Sequence, residues 1–260
     1  VDSFPKEEVH LTGEEIHKRL DEIERIHAIY PPVKLRLAAA LACSAFTFLL
    51  GGGPVEMILA FLCAGIGNVI RTKLIKHNFT LFLNIAVSIS CSCLLYSILL
   101  KLAEILFHVS ALHEAGYICS ILFIIPGFPF ITSGIDLSKL DLRSGLERLS
   151  YSIIIVLVAT MTAWIMALLL HLQPLNFTSL NLDPILLLIL RLLTSFCGVF
   201  GFSIMFNSPV KMAAIAAVMG ALSNTLRLEL VDLTGMPTTA AAFIGALTAG
   251  LLASLIKNYN

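Results

Sequence analysis

Residues 124–149 read IIPGFPFITSGIDLSKLDLRSGLERL. The stretch opens as membrane-grade apolar sequence and then sets Pro126, Gly127 and Pro129 where a spanning helix should be straightest. Each proline lacks an N–H, and its ring crowds the carbonyl four residues back, so carbonyls near Leu122 and Ile125 are expected to lose their helical partners. Lipid offers no donor in exchange. Non-helical backbone at membrane depth persists only where protein buries it or where it lines a watery cavity. The break, flanked by Gly127, Thr132, Ser133 and Gly134, is therefore expected to be a substrate site where backbone groups and hydroxyls face a polar small molecule. Its two half-helix ends carry partial charges suited to the carboxylate and ammonium of a zwitterion. Asp136 follows Gly134 by two residues, which puts a carboxylate at the mouth of such a cavity and makes it the candidate to carry or gate a proton.

The rest of the chain supplies the bilayer. Of its 260 residues 58% are hydrophobic and 13% charged, with a mean hydropathy of +0.92, where globular domains carry about 25% charged residues. The reading is an all-α, polytopic membrane helix bundle. Lys+Arg and Asp+Glu balance at 17 each, so the basic face that nucleic acid requires is missing and no nucleic-acid partner is expected. The six cysteines lie in apolar runs, where free Cys packs as a small hydrophobe. Cys91 and Cys93, two apart, fall on nearly opposite faces of a helix and make a poor metal pair, so no metal or other cofactor is implied. No cleavable signal follows Val1, and the chain is expected to start inside a longer gene product.

Residues 1–33 read as a cytoplasmic amphipathic segment: Thr12 and Glu15 form a capping box, Ile16, Leu20, Ile23 and Ile26 recur at helical spacing, and Pro31-Pro32 end it. Eight apolar segments follow, at 35–50, 55–70, 79–100, 115–135, 150–171, 184–206, 210–226 and 238–256. Several fall short of the roughly 20 residues a straight span needs, which predicts approximate ends and helices that are either half-length or flanked by interfacial residues. Lys and Arg cluster in the N-terminal segment, at 71–76, at 139–148, at Lys211 and at Lys257, whereas Lys101 and Arg227 stand on the opposite side. By the positive-inside rule the N-terminus is cytoplasmic.

Two hairpins resemble each other. Pro54, Val55, Met57 and Gly65 match Pro209, Val210, Met212 and Gly220 at an offset of 155, and after one inserted residue Asn68 and Arg71 match Asn224 and Arg227. An odd number of spans separates them, so the copies are inverted, a pattern transporters use. This divides the membrane part into a five-span repeat at 34–175 and a three-span, incomplete one at 176–260, with the counterpart of Pro126-Gly127 falling near position 281. Asn68 and Asn224, with Asn84 and Asn207, are candidates to line the substrate path, against the more frequent role of such residues in interhelical hydrogen bonds. Arg191, in LLLILRLLTSF, must face a partner or cavity or else snorkel outward past Asp183. Glu56 is expected to be interfacial, and Asp141, Arg143, Glu147 and Arg148 to form a solvated connection.

The stretch from Ile125 to Leu149 resembles the signature of the threonine/serine exporter family: a Pro-Gly break, a Thr or Asn, an Asp and a Gly-x-x-Arg, here Pro126, Gly127, Thr132, Asp136, Gly145 and Arg148. LDEIERIHAIYPP before the first span, LLGGGP at Leu49 to Pro54 and FNSPVK at Phe206 to Lys211 are similar to the same family. The resemblance implies a multi-pass inner-membrane exporter of threonine and serine driven by the proton motive force. It implies two related five-span halves behind a cytoplasmic domain, most of which would precede Val1, with the last spans following Lys257. Some members divide the halves between two chains and are associated with dicarboxylate (succinate) export, so a second chain or a homo-oligomer is a candidate partner. Pro129, Gly145, Arg148 and Arg191 are assigned structural or gating roles. An intramembrane enzyme would need a His-Glu-x-x-His, a Gly-x-Ser-x-Gly or paired aspartates; none occurs, and His108 and His113 read as surface residues of one loop. A non-transporting scaffold would instead pack the break tightly.

Overall fold

The computed structural model describes residues 29–108, 116–172 and 182–259, together with Glu15, His17, Lys18, Leu20 and Asp21. Those five are helical, but most of the amphipathic N-terminal segment, His113 and the boundary between the two repeats lie outside the described residues. The described chain is all helix, with no strand among its residues. In order the elements are α1 (Pro32–Leu49), α2 (Pro54–Lys76), α3 (Leu81–Phe107), α4 (Gly116–Ser120), a 3-10 turn (Leu122–Ile124), α5 (Gly127–Ser138), α6 (Leu142–Leu170), α7 (Pro184–Met205), α8 (Val210–Thr234) and α9 (Thr238–Tyr259). Seven are long and apolar enough to cross a membrane, and α4 with α5 makes an eighth, bent span. The spans outrun the apolar runs, because their charged ends stay helical: α6 starts at Leu142, and α8 continues through Glu229 and Asp232 to Thr234. Among the described residues only the bent span is built of short pieces; the other short apolar runs reach spanning length through helical polar flanks, the second of the two expected ways.

Local chemistry sets the ends. Pro32, Pro54 and Pro184 open α1, α2 and α7, where a missing N–H costs nothing. Gly51 supplies the left-handed backbone (φ 102°) that turns α1 into α2, and Gly235 (φ 67°) ends α8 ahead of Pro237. Asp183 and Asp141 accept from the N–H groups of Ile185 and Ser144, capping α7 and α6.

Packing begins at α1, whose stripe of Ala38, Ala39, Ala42, Cys43 and Ala45 is buried. Small side chains let α1 press against α2 on one side and α7 on the other. Around it lies a core contributed by α1 to α4, the 3-10 turn and α6, with Tyr96, Phe123, Ile85 and Ile89 fully enclosed. The later helices form a thinner chain of contacts, α7 on α8 and α8 on α9. Their outward leucines and phenylalanines, such as Phe243 and Leu251, are exposed as lipid-facing surface requires.

Candidate functional site

The bent span meets its two halves at 57°. The missing helical bonds are replaced one by one. Leu122 O accepts from Ile125 N (3.1 Å), Ile125 O from Gly127 N (2.9 Å) and Pro126 O from Phe130 N (3.2 Å). The two carbonyls expected to be left open are thus closed by tight turns. Phe123 O leaves the ladder and accepts from Arg71 Nη1 of α2 at 3.0 Å. Below it, Gly67 gives the Phe123 ring room: a Cβ there would lie 2.8 Å from Phe123 Cζ and 2.0 Å from Ser92 Oγ.

On the opposite flank of the break runs an open groove of about 380 Å³ between α5, α1 and α7, lined by Leu122, Ile125, Phe128, Phe46, Phe202 and Phe206. A Cβ on Gly127 would meet nothing within 4 Å, so the start of α5 faces open space. The groove is apolar beside the break. It continues into a cavity of about 530 Å³ that reaches Ser203, Asn207 and Ser208 at the α7–α8 turn, where polar groups take over. Phe128 and Phe206 stand across it, ring centroids 6.1 Å apart. Two of the stretches singled out in the sequence close its end: Asn207 Oδ1 accepts from Ile29 N (2.8 Å), and Tyr30 donates its hydroxyl to Ser208 O (2.8 Å).

Along α5 the expected site residues separate. Thr132 and Ser133 turn their hydroxyls back on their own helix, Thr132 to Phe128 O and Pro129 O (both 3.1 Å) and Ser133, which is buried, to Phe130 O (2.7 Å). These bonds satisfy carbonyls of the first turns near Pro129. Asp136, in the last turn of α5, accepts from Arg148 Nη1 of α6 at 2.8 Å, with Asp136 the more enclosed of the two. Gly145 brings them together: a Cβ there would come within 2.7 Å of Leu137 Cγ, so only glycine lets α6 close on α5. The connection expected to be plain solvated loop is therefore a helix pair with an ion pair across it, while Arg143 and Glu147 do form an exposed i,i+4 pair.

The remaining candidates lie elsewhere. Asn68 is buried in α2, and Asn224 Nδ2 of α8 donates to Ser195 Oγ of α7 at 2.8 Å; neither lines the groove. Arg191 neither snorkels nor faces a cavity alone: Nη1 reaches Glu229 at 2.7 Å and Nη2 reaches Asp232, tying α7 to α8. Those two carboxylates were missed because the apolar run stops before them, although their i,i+3 spacing on one helix face was readable. Glu56, expected at the interface, is fully buried; its Oε2 accepts from Gly53 N (2.9 Å), and the start of α4 covers it, a Cβ on Gly116 falling 3.0 Å from Glu56 Cβ. The Gly-Gly-Gly-Pro turn announced a capping carboxylate, and only the packing of α4 buried it. Arg71 stood in the sequence as a repeat match and as the first residue of the basic cluster at 71–76, with no partner foreseen. Among the described residues no group of three His, Cys, Asp or Glu is placed to hold a metal ion.

The family model described as "Putative threonine/serine exporter" matches residues 2–170, and a second, "Threonine/Serine exporter, ThrE", matches residues 191–259. The "Probable succinate transporter subunit YjjP" of Klebsiella aerogenes is 24% identical over 160 residues, 59% of this chain and 60% of that protein. The protein of the same name from Escherichia coli K12 is 26% identical over 153 residues, 59% of this chain and 57% of its own length. The chain thus spans about three-fifths of the length of the curated relatives it matches. No solved structure matches it. On the family models, which together cover most of its length, this multi-pass membrane protein belongs to the threonine/serine exporter family of transporters.

Proposed function

We propose that the chain is the membrane part of a secondary transporter that exports small polar amino acids, threonine and serine, across the inner membrane by proton antiport. The observation that carries the reading is the span bent by 57° beside an open groove, with Gly127 facing free space. A scaffold would fill that space; a transporter needs it. In this reading the substrate travels past Pro126 and Gly127, with Thr132 and Ser133 exchanging their helix bonds for substrate bonds as the bend changes. Asp136 carries or gates the proton, and its ion pair with Arg148 opens when it does.

The inverted repeat supports alternating access. α1, α2 and α3 precede α7, α8 and α9 in the same order, and the ends of α1 and α7 differ by 156 residues, the offset that joins Arg71 to Arg227. At that offset Phe46 corresponds to Phe202, and their rings touch at 5.3 Å. Ala42 corresponds to Gly198 and Ala45 to Gly201; a Cβ on Gly201 would lie 3.0 Å from Ala42 Cβ, and one on Gly198 3.7 Å from Ala45 Cβ. Such reciprocal contacts are what a two-fold axis through the α1–α7 seam requires. The positive-inside bias puts the N-terminus in the cytoplasm.

Counterflow of radiolabelled threonine, serine and succinate in proteoliposomes tests the reading. Accumulation of threonine and serine that collapses without a pH gradient, and that no longer responds to the gradient in Asp136→Asn, is the expected result. No counterflow of any of the three sinks it. Counterflow of succinate alone selects the second reading, a dicarboxylate exporter subunit, which the names of the two YjjP relatives favour.

A further inference from the structure

Asn207 and Ser208 line the polar end of the cavity of about 530 Å³, and both are engaged there by the stretch ahead of α1. Ile29 N donates to Asn207 Oδ1 and the Tyr30 hydroxyl to Ser208 O, each at 2.8 Å across 178 residues of chain. Two acceptors of the path are thus filled by donors from a strap. Pro31 and Pro32 follow that strap, both without an N–H, and Pro31 is extended (φ −63°, ψ 151°), so the ladder of α1 does not run back into Tyr30. The Tyr30 ring rests on Ala38, Ile204 and Ala213, which gives the strap a seat. Ile29 is exposed, so water can take over its bond, and a single hydrogen bond exchanged for water is worth little net free energy. The contact holds, yet it is cheap to open. It also reaches the bend: Phe206, next to Asn207, faces Phe128 of α5 with ring centroids 6.1 Å apart, so a shift of the α7–α8 turn is felt beside Gly127.

We propose that Ile29 and Tyr30 form the cytoplasmic latch of the path, their donors standing where the substrate's ammonium binds once the strap lifts. The inference rests on the transporter reading above. An ammonium carries three donors and no acceptor, so it can replace an N–H and an O–H on Asn207 Oδ1 and Ser208 O, and its bonds are strengthened by charge. A dicarboxylate brings no donor to these oxygens. Entry and unlatching are then one exchange, which admits amino acids and leaves dicarboxylates outside. When the substrate leaves, the two acceptors return to the strap and the mouth closes.

Two variants separate the latch from the binding group. Tyr30→Phe keeps the ring on its seat and removes one donor. Asn207→Gly removes Oδ1 and keeps the left-handed backbone (φ 65°) that ends α7. Opening is read in full-chain Ser203→Cys, which places a thiol in the cavity, by labelling with a water-soluble maleimide located by mass spectrometry. Adding Tyr30→Phe should speed labelling of that thiol about fivefold, the loss of one net hydrogen bond, while the buried Cys43 stays unlabelled. Ammonium binding is read as the affinity ratio of threonine to 2,3-dihydroxybutanoate, in which a hydroxyl replaces the ammonium. The native ratio should be roughly thirtyfold and should fall to about threefold in Asn207→Gly, the size of one lost bond to a charged group. Because the ratio is internal to each variant, neither a loosened latch nor a loss of folded protein mimics that fall. A labelling gain that is absent or shared by Cys43, or a ratio unchanged in Asn207→Gly, overturns the latch, while native counterflow of threonine keeps the transporter reading. Counterflow of succinate alone also overturns it, since succinate has no ammonium. No counterflow of threonine, serine or succinate removes both.

Discussion

Arg71 in α2 and Arg227 in α8 stand at matching places in two similar hairpins, yet Arg71 donates to Phe123 O while Arg227 buries an Nε with no acceptor. Helix order is alike in the two regions but the caps are not, since Glu56 caps α2 at Gly53 whereas α8 follows Pro209 without a side-chain cap, and the neighbours that pack around each differ too. α2 is wrapped by α1, α3 and α4, whose side chains close over Phe123 and Tyr96. α8 touches α7 and α9, and its tie to α7 includes charge: Arg191 on Glu229 and Asp232. Both regions close at glycines, Gly67 over Ser92 and Phe123 and Gly220 against Val199, and the second adds ion pairs to that fit. A repeated sequence specifies a repeated helix pair, and the neighbours decide what each polar group does.

The sharpest way to break the comparison is steric. Gly67→Val drives a side chain into Ser92 and Phe123 and should cost about 3 kcal/mol, the upper end of the overpacking range. Gly250→Val, where a Cβ meets nothing within 4 Å, should stay within about 0.5 kcal/mol. Thermal unfolding in micelles reads both, and equal losses would mean that the two regions are packed alike. Charge gives the next effect. Arg191→Met strips two carboxylates of their partner and should cost about 2 kcal/mol, whereas Arg227→Met, removing an Nε that has none, should be nearly neutral. The smallest effect sharpens the contrast within the first region: Arg148→Ala breaks a partly exposed pair and should cost under about 1 kcal/mol of stability, because close packing at Gly145 holds α5 on α6 without it. A larger loss would place charge, not fit, at that seam.

Pattern and break were legible residue by residue. The eight spans follow from hydropathy, the turn at Gly51 to Pro54 from glycine and proline, and the broken span from Pro126 and Pro129. The ends of the spans were not, since Arg148, Glu229 and Asp232 lower local hydropathy while remaining helical. Of the site, Asp136, Gly145 and Arg148 were legible as a signature, but their joining was not, because that contact depends on how closely two helices approach.

By itself the sequence determined an all-α membrane bundle with one span that has to bend, since hydropathy, a missing N–H and a glycine turn act over a few residues of chain. Only the tertiary structure decided that Arg71 meets the freed carbonyl, that Glu56 is sealed under α4 and that Arg191 holds two carboxylates. These partners lie 38 to 60 residues apart in the chain, and a polar group in an apolar span takes whichever partner packing brings within reach.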